Sequence, residues 1–308
     1  MENKVVIIGG GPAGLTAGIY TLRAGIKTIV IEKLFPGGNI LLTERIDNYP
    51  GFPEGITGAE LAEKMRQQYL RFGGEIINGE VSDVSLEGNR KVVRLKDGTE
   101  IKTDALIIAS GSSRKKLGVE GEEEYTGKGV SFCAICDGAF FKGKKVAVVG
   151  GGNSALEEAI YLTRYAEVCY LIHRREGFRA SAYLQEEIKK YPSIKVLLSR
   201  IVKKIEGDGK KVHRLVLERK DTGEIETIEV DGAFVSVGQK PNVEFIDGKL
   251  DQNPAGYIIT DYKMQTSVKG IFACGDVIKK SLYQVITACG EGAIAAASAE
   301  EYLSKSGG

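Results

Sequence analysis

Histidine is scarce: only His173 and His213 occur in 308 residues, which rules out most histidine-based chemistry. No apolar run approaches the ~20 residues that a membrane span needs. Neither charge sign dominates, since 42 basic side chains face 41 acidic ones for a net +1. Nucleic acid and membrane surfaces are therefore not expected partners, and a small molecule or a protein is. The apolar start VVIIGGGPAG is short and broken by glycine, unlike a signal h-region, so a cytoplasmic location is expected. Five cysteines, at 133, 136, 169, 274 and 289, are an odd count and too scattered for a disulfide framework in a chain of this length. The length itself suits two domains.

Glycine, by contrast, is abundant. Forty residues are roughly twice the usual share, and they cluster as GGG at 9–11 and at 150–152. KVVII at 4–8 reads as a buried strand, Gly9-x-Gly11-x-x-Gly14 follows at once, and PAGLTAGIYTLRAG continues as a helix before the strand KTIVIE. This is the strand, turn, helix and strand context of a dinucleotide fingerprint. The glycines let the backbone approach a pyrophosphate, and the helix N-terminus offers N–H groups and a positive dipole. Pro12 and Ala13 open that helix. Glu32 closes the second strand 23 positions after Gly9, where a carboxylate accepts bonds from ribose hydroxyls.

The pattern recurs at 145–175. A strand ends in Gly150-x-Gly152, the residues Asn153, Ser154 and Ala155 open a helix, and the next strand ends on His173, again 23 positions after the first glycine. The acid is gone. In its place stands HRREGFR, with Arg174, Arg175 and Arg179. A carboxylate there would repel the 2′-phosphate of NADP, whereas guanidinium groups bind phosphate through charge-assisted, often bidentate bonds. The alternative is a solvated basic face; the placement in the second fingerprint favours an NADPH site.

Strands ending in small-residue turns, TDALIIASG (103–111) and VDGAFVSVG (230–238), follow the two fingerprints, and GIFACGDV (270–277) supplies another that ends in Gly275-Asp276. We therefore expect an α/β protein of two Rossmann-like, three-layer dinucleotide-binding domains, the second inserted into the first. Residues 1–113 and 243–308 would form the FAD-binding domain and 114–242 the NADPH-binding domain. Asp276, after a strand and in a tight turn, suits the ribityl hydroxyls of a flavin. A helix over roughly 288–304 is expected, its small residues letting a bulky ring approach and its N-terminus facing the flavin pyrimidine. The tail SKSGG is expected to be disordered.

FCAICDG at 132–138 places Cys133 and Cys136 two residues apart, with Asp137 next. Zinc is excluded for want of ligands, because no second CxxC and no neighbouring histidine exists. A redox role remains, and a helix start at this point favours thiolates. With no histidine nearby, Asp137 is the candidate acid–base group; its other reading is a helix-start acid facing the dipole. Cys169, Cys274 and Cys289 read as packing residues.

GGGPAG, the glycine pair at 37–38, DNYPGFP, CAICDG, GGGNSALEEA, HRREGFRA and FACGDV, in this order and spacing, resemble the low-molecular-weight thioredoxin reductases of bacteria and archaea nearly end to end. The resemblance implies a homodimer, FAD in the outer domain and NADPH in the inserted one. It also implies a reversible Cys133–Cys136 disulfide, with Cys136 facing the flavin, Cys133 attacking the disulfide of thioredoxin or a thioredoxin-like protein, and Asp137 handling protons. On the FAD side it adds Gly38, Asn39, Asn48, Gly111 and Gln284 to Gly9, Gly11, Pro12, Ala13, Gly14, Glu32, Gly275 and Asp276. The chain departs from the family where Asn39 stands in place of the common Gln and Tyr283 in place of the common Arg. The alternatives are the same fold with ferredoxin or another donor, a glutaredoxin-like partner, or a flavin-binding redox sensor.

Overall fold

The computed structural model describes residues 3–43, 46–246 and 248–306. The chain separates into two compact units, Met1–Ser113 with Lys240–Gly308, and Arg114–Gln239. The outer unit begins with β1 (Asn3–Ile8), α1 (Pro12–Arg23), β2 (Thr28–Glu32), α2 (Gly58–Arg71), β3 (Glu75–Asn78), β4 (Val81–Glu87), β5 (Arg90–Leu95) and β6 (Glu100–Ile108). β7 (Ser112–Arg114) is the outgoing crossing. The inserted unit holds β8 (Val130–Ser131), α3 (Ala134–Asp137), β9 (Lys145–Gly150), α4 (Asn153–Leu162), β10 (Val168–His173), α5 (Ala182–Glu187) and β11 (Ile194–Leu198). It ends with β12 (Arg200–Gly207), β13 (Val212–Arg219), β14 (Ile225–Glu229) and β15 (Gly232–Ser236). β16 (Gln239–Pro241) returns the chain to β17 (Ile271–Ala273) and α6 (Val285–Ser306). β16 pairs with β7, so the two crossings form one short ladder, and the return falls at 239/240 rather than at 242/243.

In the outer unit, β3, β2, β1, β6 and β17 run parallel, while the first half of β6 pairs antiparallel with β5, and β5 with β4. Alternation along β1 decides the layers, because successive side chains of a strand point to opposite faces. Val5 and Ile7 join Leu15, Tyr69, Ile107 and Ala295 on the helical face. Val6 and Ile8 join Val84, Val93, Leu106 and Ile258 on the face of the β4–β5 hairpin. Helix α2 starts with a capping box, Thr57 accepting from the Glu60 amide and Glu60 accepting from that of Thr57.

The inserted unit repeats the plan. Parallel strands in the order β11-β10-β9-β15-β8 are covered on one face by helices and on the other by the meander β12-β13-β14. Both units are thus three-layer dinucleotide folds, as the α/β reading expects.

Helix α6 departs from expectation at both ends. It starts at Val285, not 288, because Thr287 Oγ1 caps the start by accepting from Gln284 N and donating to the Leu282 and Gln284 carbonyls. It also continues through Ser304–Ser306, where a disordered tail is expected; Lys305 pairs with Glu301, and Ser304 donates to the Glu301 carbonyl. The tail's Gly307 and Gly308 lie outside the described residues. Among the described residues no helix is long and apolar enough to cross a membrane.

Candidate functional site

The first glycine loop is built for close approach. At Gly9, φ is +104° and a Cβ would stand 2.3 Å from the Ala109 carbonyl oxygen; one at Gly14 would stand 1.9 Å from that of Gly9. Above the turn there is room, since a Cβ at Gly11 would meet nothing nearer than the Gly38 Cα at 4.0 Å. Pro12 occupies the first helical position and no side chain caps α1, which leaves its N-terminal amides to a ligand. Glu32 ends β2, and its carboxylate accepts from Gly10 N (2.7 Å) and Leu34 N (3.0 Å), fixing it at the mouth of the loop. Gly37 N donates to the Gly10 carbonyl, which seats Gly38 beside the cradle.

Residues far apart in sequence converge on the same edge. Asn39 Nδ2 donates to the Ser112 carbonyl (2.9 Å), next to Gly111. Asn48 Nδ2 donates to Gln284 Oε1 (2.9 Å), joining two candidate residues 236 positions apart. Gly275 packs on Ala13, and its amide donates to Glu291 Oε2 (2.9 Å). Lys280 Nζ lies 3.0 Å from Asp276 Oδ1 and from Glu291 Oε2, its side chain only 8% exposed. Burial pushes the Glu291 carboxyl above the usual range despite that neighbour. The sequence reading missed Lys280 and Glu291, because nothing in the local pattern links an amide at 275 to an acid about two turns into the next helix. The small residues of α6 approach helix α1: a Cβ at Gly292 would lie 2.2 Å from the Ala13 carbonyl oxygen.

The inserted unit presents the second cradle. A Cβ at Gly152 would meet nothing within 4 Å, and Asn153, Ser154 and Ala155 open α4 without a side-chain cap. Asn153 Oδ1 accepts from Ser181 N. His173 ends β10 and is buried. Its ring lies under the loop, where a Cβ at Gly151 would be 2.2 Å from Nδ1, and stacks on Phe178 with centroids 5.6 Å apart. Its Nε2 has no hydrogen-bond partner among the described residues. Desolvation by burial lowers its pKa first, and the charges of Arg179, Arg175 and Arg174 lower it further, so the ring is neutral near pH 7. Those three arginines are exposed, and among the described residues none forms an ion pair. Arg179 N donates to the Gly151 carbonyl (2.7 Å), which ties the arginine segment to the glycine loop. An open glycine cradle beside three uncommitted guanidiniums fits a phosphorylated dinucleotide.

Cys133 and Cys136 form a disulfide, with Cα atoms 5.3 Å apart, and both are half-buried. Cys133 stands at the N-cap of α3, where its Sγ accepts from Cys136 N (3.2 Å). Asp137 Oδ2 receives the Ser131 hydroxyl at 2.6 Å, and the same Oγ accepts from Cys133 N at 3.1 Å. Ser131 was not among the residues the sequence suggested. Cys169, Cys274 and Cys289 are free and buried, and burial raises each thiol pKa, which keeps them protonated. No group of three or more metal-ligating side chains occurs among the described residues.

A model of the pyridine nucleotide-disulphide oxidoreductase family matches residues 3–292. The thioredoxin reductase of Bacillus subtilis (strain 168) is 44% identical over 299 residues, covering 97% of this chain and 94% of that protein. That of Peptoclostridium acidaminophilum is 43% identical over 311 residues, covering 98% of each. Among solved structures, the thioredoxin reductase from Streptococcus pyogenes MGAS5005 superposes with a TM-score of 0.91 at 41% identity and 98% coverage of both chains. The chain belongs to the pyridine nucleotide-disulphide oxidoreductase family and, within it, to the thioredoxin reductases.

Proposed function

We propose that this chain reduces the disulfide of thioredoxin with electrons drawn from NADPH, with FAD held by the outer unit and NADPH by the inserted one. The observation that carries this reading is the closed Cys133–Cys136 disulfide at the start of α3, in the same unit as a glycine cradle flanked by uncommitted arginines. Bound FAD would supply hydride acceptance from NADPH and two-electron delivery to the disulfide. The first cradle with Glu32, Gly38, Asn39, Asn48, Gly111, Gly275, Asp276 and Gln284 would hold FAD. The second, with His173, Arg174, Arg175 and Arg179, would hold NADPH.

The remaining chemistry belongs to the chain's own side chains. As a thiolate, Cys133 attacks one sulfur of the thioredoxin disulfide, and the other sulfur leaves as a thiolate. Cys136 then attacks the Cys133 sulfur, which re-forms the internal disulfide and releases the partner as a dithiol. The amide of Cys136, aimed at the Cys133 sulfur, favours an anion there. Asp137, adjacent to Cys136, moves the protons that the departing thiolates need.

The test is anaerobic mixing of the purified protein with NADPH and excess oxidised thioredoxin, following flavin colour and NADPH loss together. Sustained NADPH oxidation that disappears in Cys136→Ser supports the reading. A flavin that never bleaches rejects NADPH as donor, and bleaching that then stalls rejects thioredoxin as the acceptor. The proposal extends to a homodimer in the cytoplasm; sedimentation at the mass of a single chain would reject the dimer.

A further inference from the structure

Ser131 ends the two-residue strand β8 and is only 6% exposed, yet its hydroxyl is fully engaged with the redox turn. Its Oγ accepts from the Cys133 amide at 3.1 Å and lies 2.6 Å from Asp137 Oδ2. A hydroxyl has one proton and two lone pairs. With Asp137 ionised, the proton goes to the carboxylate, because a charge-assisted bond of this length is the stronger option. A second acceptor stands ready, since the Cys133 carbonyl is 3.5 Å from the same Oγ. If Asp137 takes up a proton, its carboxyl can donate to Oγ while the serine proton turns toward that carbonyl. The Asp137 amide, bonded to the Cys133 carbonyl at 3.1 Å, closes the network from the other side.

We infer that Ser131 is a positioning residue for Asp137, holding the carboxylate and the Cys133 backbone in one frame through both protonation states. The inference rests on the reading that Cys133 and Cys136 cycle between disulfide and dithiol. Around the redox turn the other titratable and charged groups are the two cysteines, Tyr161 and Tyr165, whose rings approach Gly138, and Arg114, whose guanidinium lies 5.8 Å from the Phe132 ring.

The experiment uses the full-length protein, reduced chemically and freed of reductant, and follows single-turnover exchange with a small aromatic disulfide between pH 5 and 9. It needs neither NADPH nor thioredoxin, so a failure of the donor or partner assignment does not affect it. Losing a donor to the ionised carboxylate makes Asp137 easier to protonate, so Ser131→Ala moves the acid-side bend of the rate profile up by roughly one pH unit. Ser131→Thr keeps the hydroxyl and restores the original bend. In an Asp137→Asn background the Ser131→Ala change alters rates less than about 2-fold at every pH. A Ser131→Ala profile that overlays the parent overturns the inference, as does an equal shift with and without Asp137. Should Ser131→Ala fail to fold, a folded Ser131→Thr with a displaced bend overturns it as well. If the reduced protein exchanges no disulfide at these two cysteines, the cycling premise fails and the inference with it.

Discussion

Replacing Arg174, Arg175 and Arg179 together by glutamine separates a phosphate clamp from a solvated basic face. All three are exposed and, among the described residues, none is ion-paired, so their removal strands no carboxylate and leaves stability near that of the parent. Hydrogen bonds to charged groups contribute about 1.5–3 kcal/mol each, and exposure and salt put these at the lower end. Two such bonds to a 2′-phosphate amount to about 3 kcal/mol, roughly a 100-fold to 200-fold weakening of NADPH. NADH has no phosphate there and should change less than about 3-fold. The assay is anaerobic rapid mixing, with flavin reduction followed against the concentration of each nucleotide at low and high salt. The NADPH loss should shrink as salt rises, because screening already weakens the parent. Equal losses for NADH and NADPH, or a loss indifferent to salt, would refute the reasoning.

The two loop glycines of the outer unit separate folding from binding. Gly14→Ala would force a Cβ to 1.9 Å from a backbone oxygen and should lower the melting temperature by many degrees, whereas Gly11→Ala meets no protein atom closer than 4.0 Å. The latter should melt like the parent yet bind FAD at least ~10-fold more weakly, read by fluorescence of released flavin; unchanged affinity would argue against the first cradle as the pyrophosphate site. Glu158 on α4 has a buried Oε2 without a hydrogen-bond partner, and burial raises its pKa from 4.5 to about 7. A raised acid pKa favours the protonated folded state, so stability is present below about 4.5 and lost as pH rises through about 7, by roughly 3 kcal/mol in all. Glu158→Gln should flatten the fall in melting temperature between pH 5 and 8; parallel curves for variant and parent would contradict the assignment.

Local chemistry was legible in the sequence because it is written in consecutive residues. A strand, three glycines and a helix start need only about a dozen positions, and the same holds for the CxxC turn and the arginine segment after β10. Long-range joins were not legible. Nothing at Asn48 announces Gln284, and nothing at Gly275 announces that Glu291 will accept from its amide. Ser131 escaped notice for a related reason: its strand has two residues, too few for a periodic signal, and its importance comes from a hydroxyl that reaches across the turn. The start of α6 was misplaced because the apolar and small residues were counted without Thr287, whose side chain supplies the cap.

Glu32 and His173 stand at the equivalent position after the two glycine loops. In the outer unit the residue at the end of the second strand is Glu32, whose carboxylate accepts from Gly10 at the mouth of the loop. In the inserted unit the equivalent position holds a ring packed beneath Gly151, and the three arginines each lower its proton affinity. A neutral ring also avoids placing a buried cation under the loop beside three exposed ones, where it would need its own counter-ion. The field that discourages a proton on His173 is the one that the proposed 2′-phosphate site requires, so under that proposal the loss of the acid and the gain of the arginines work as one change.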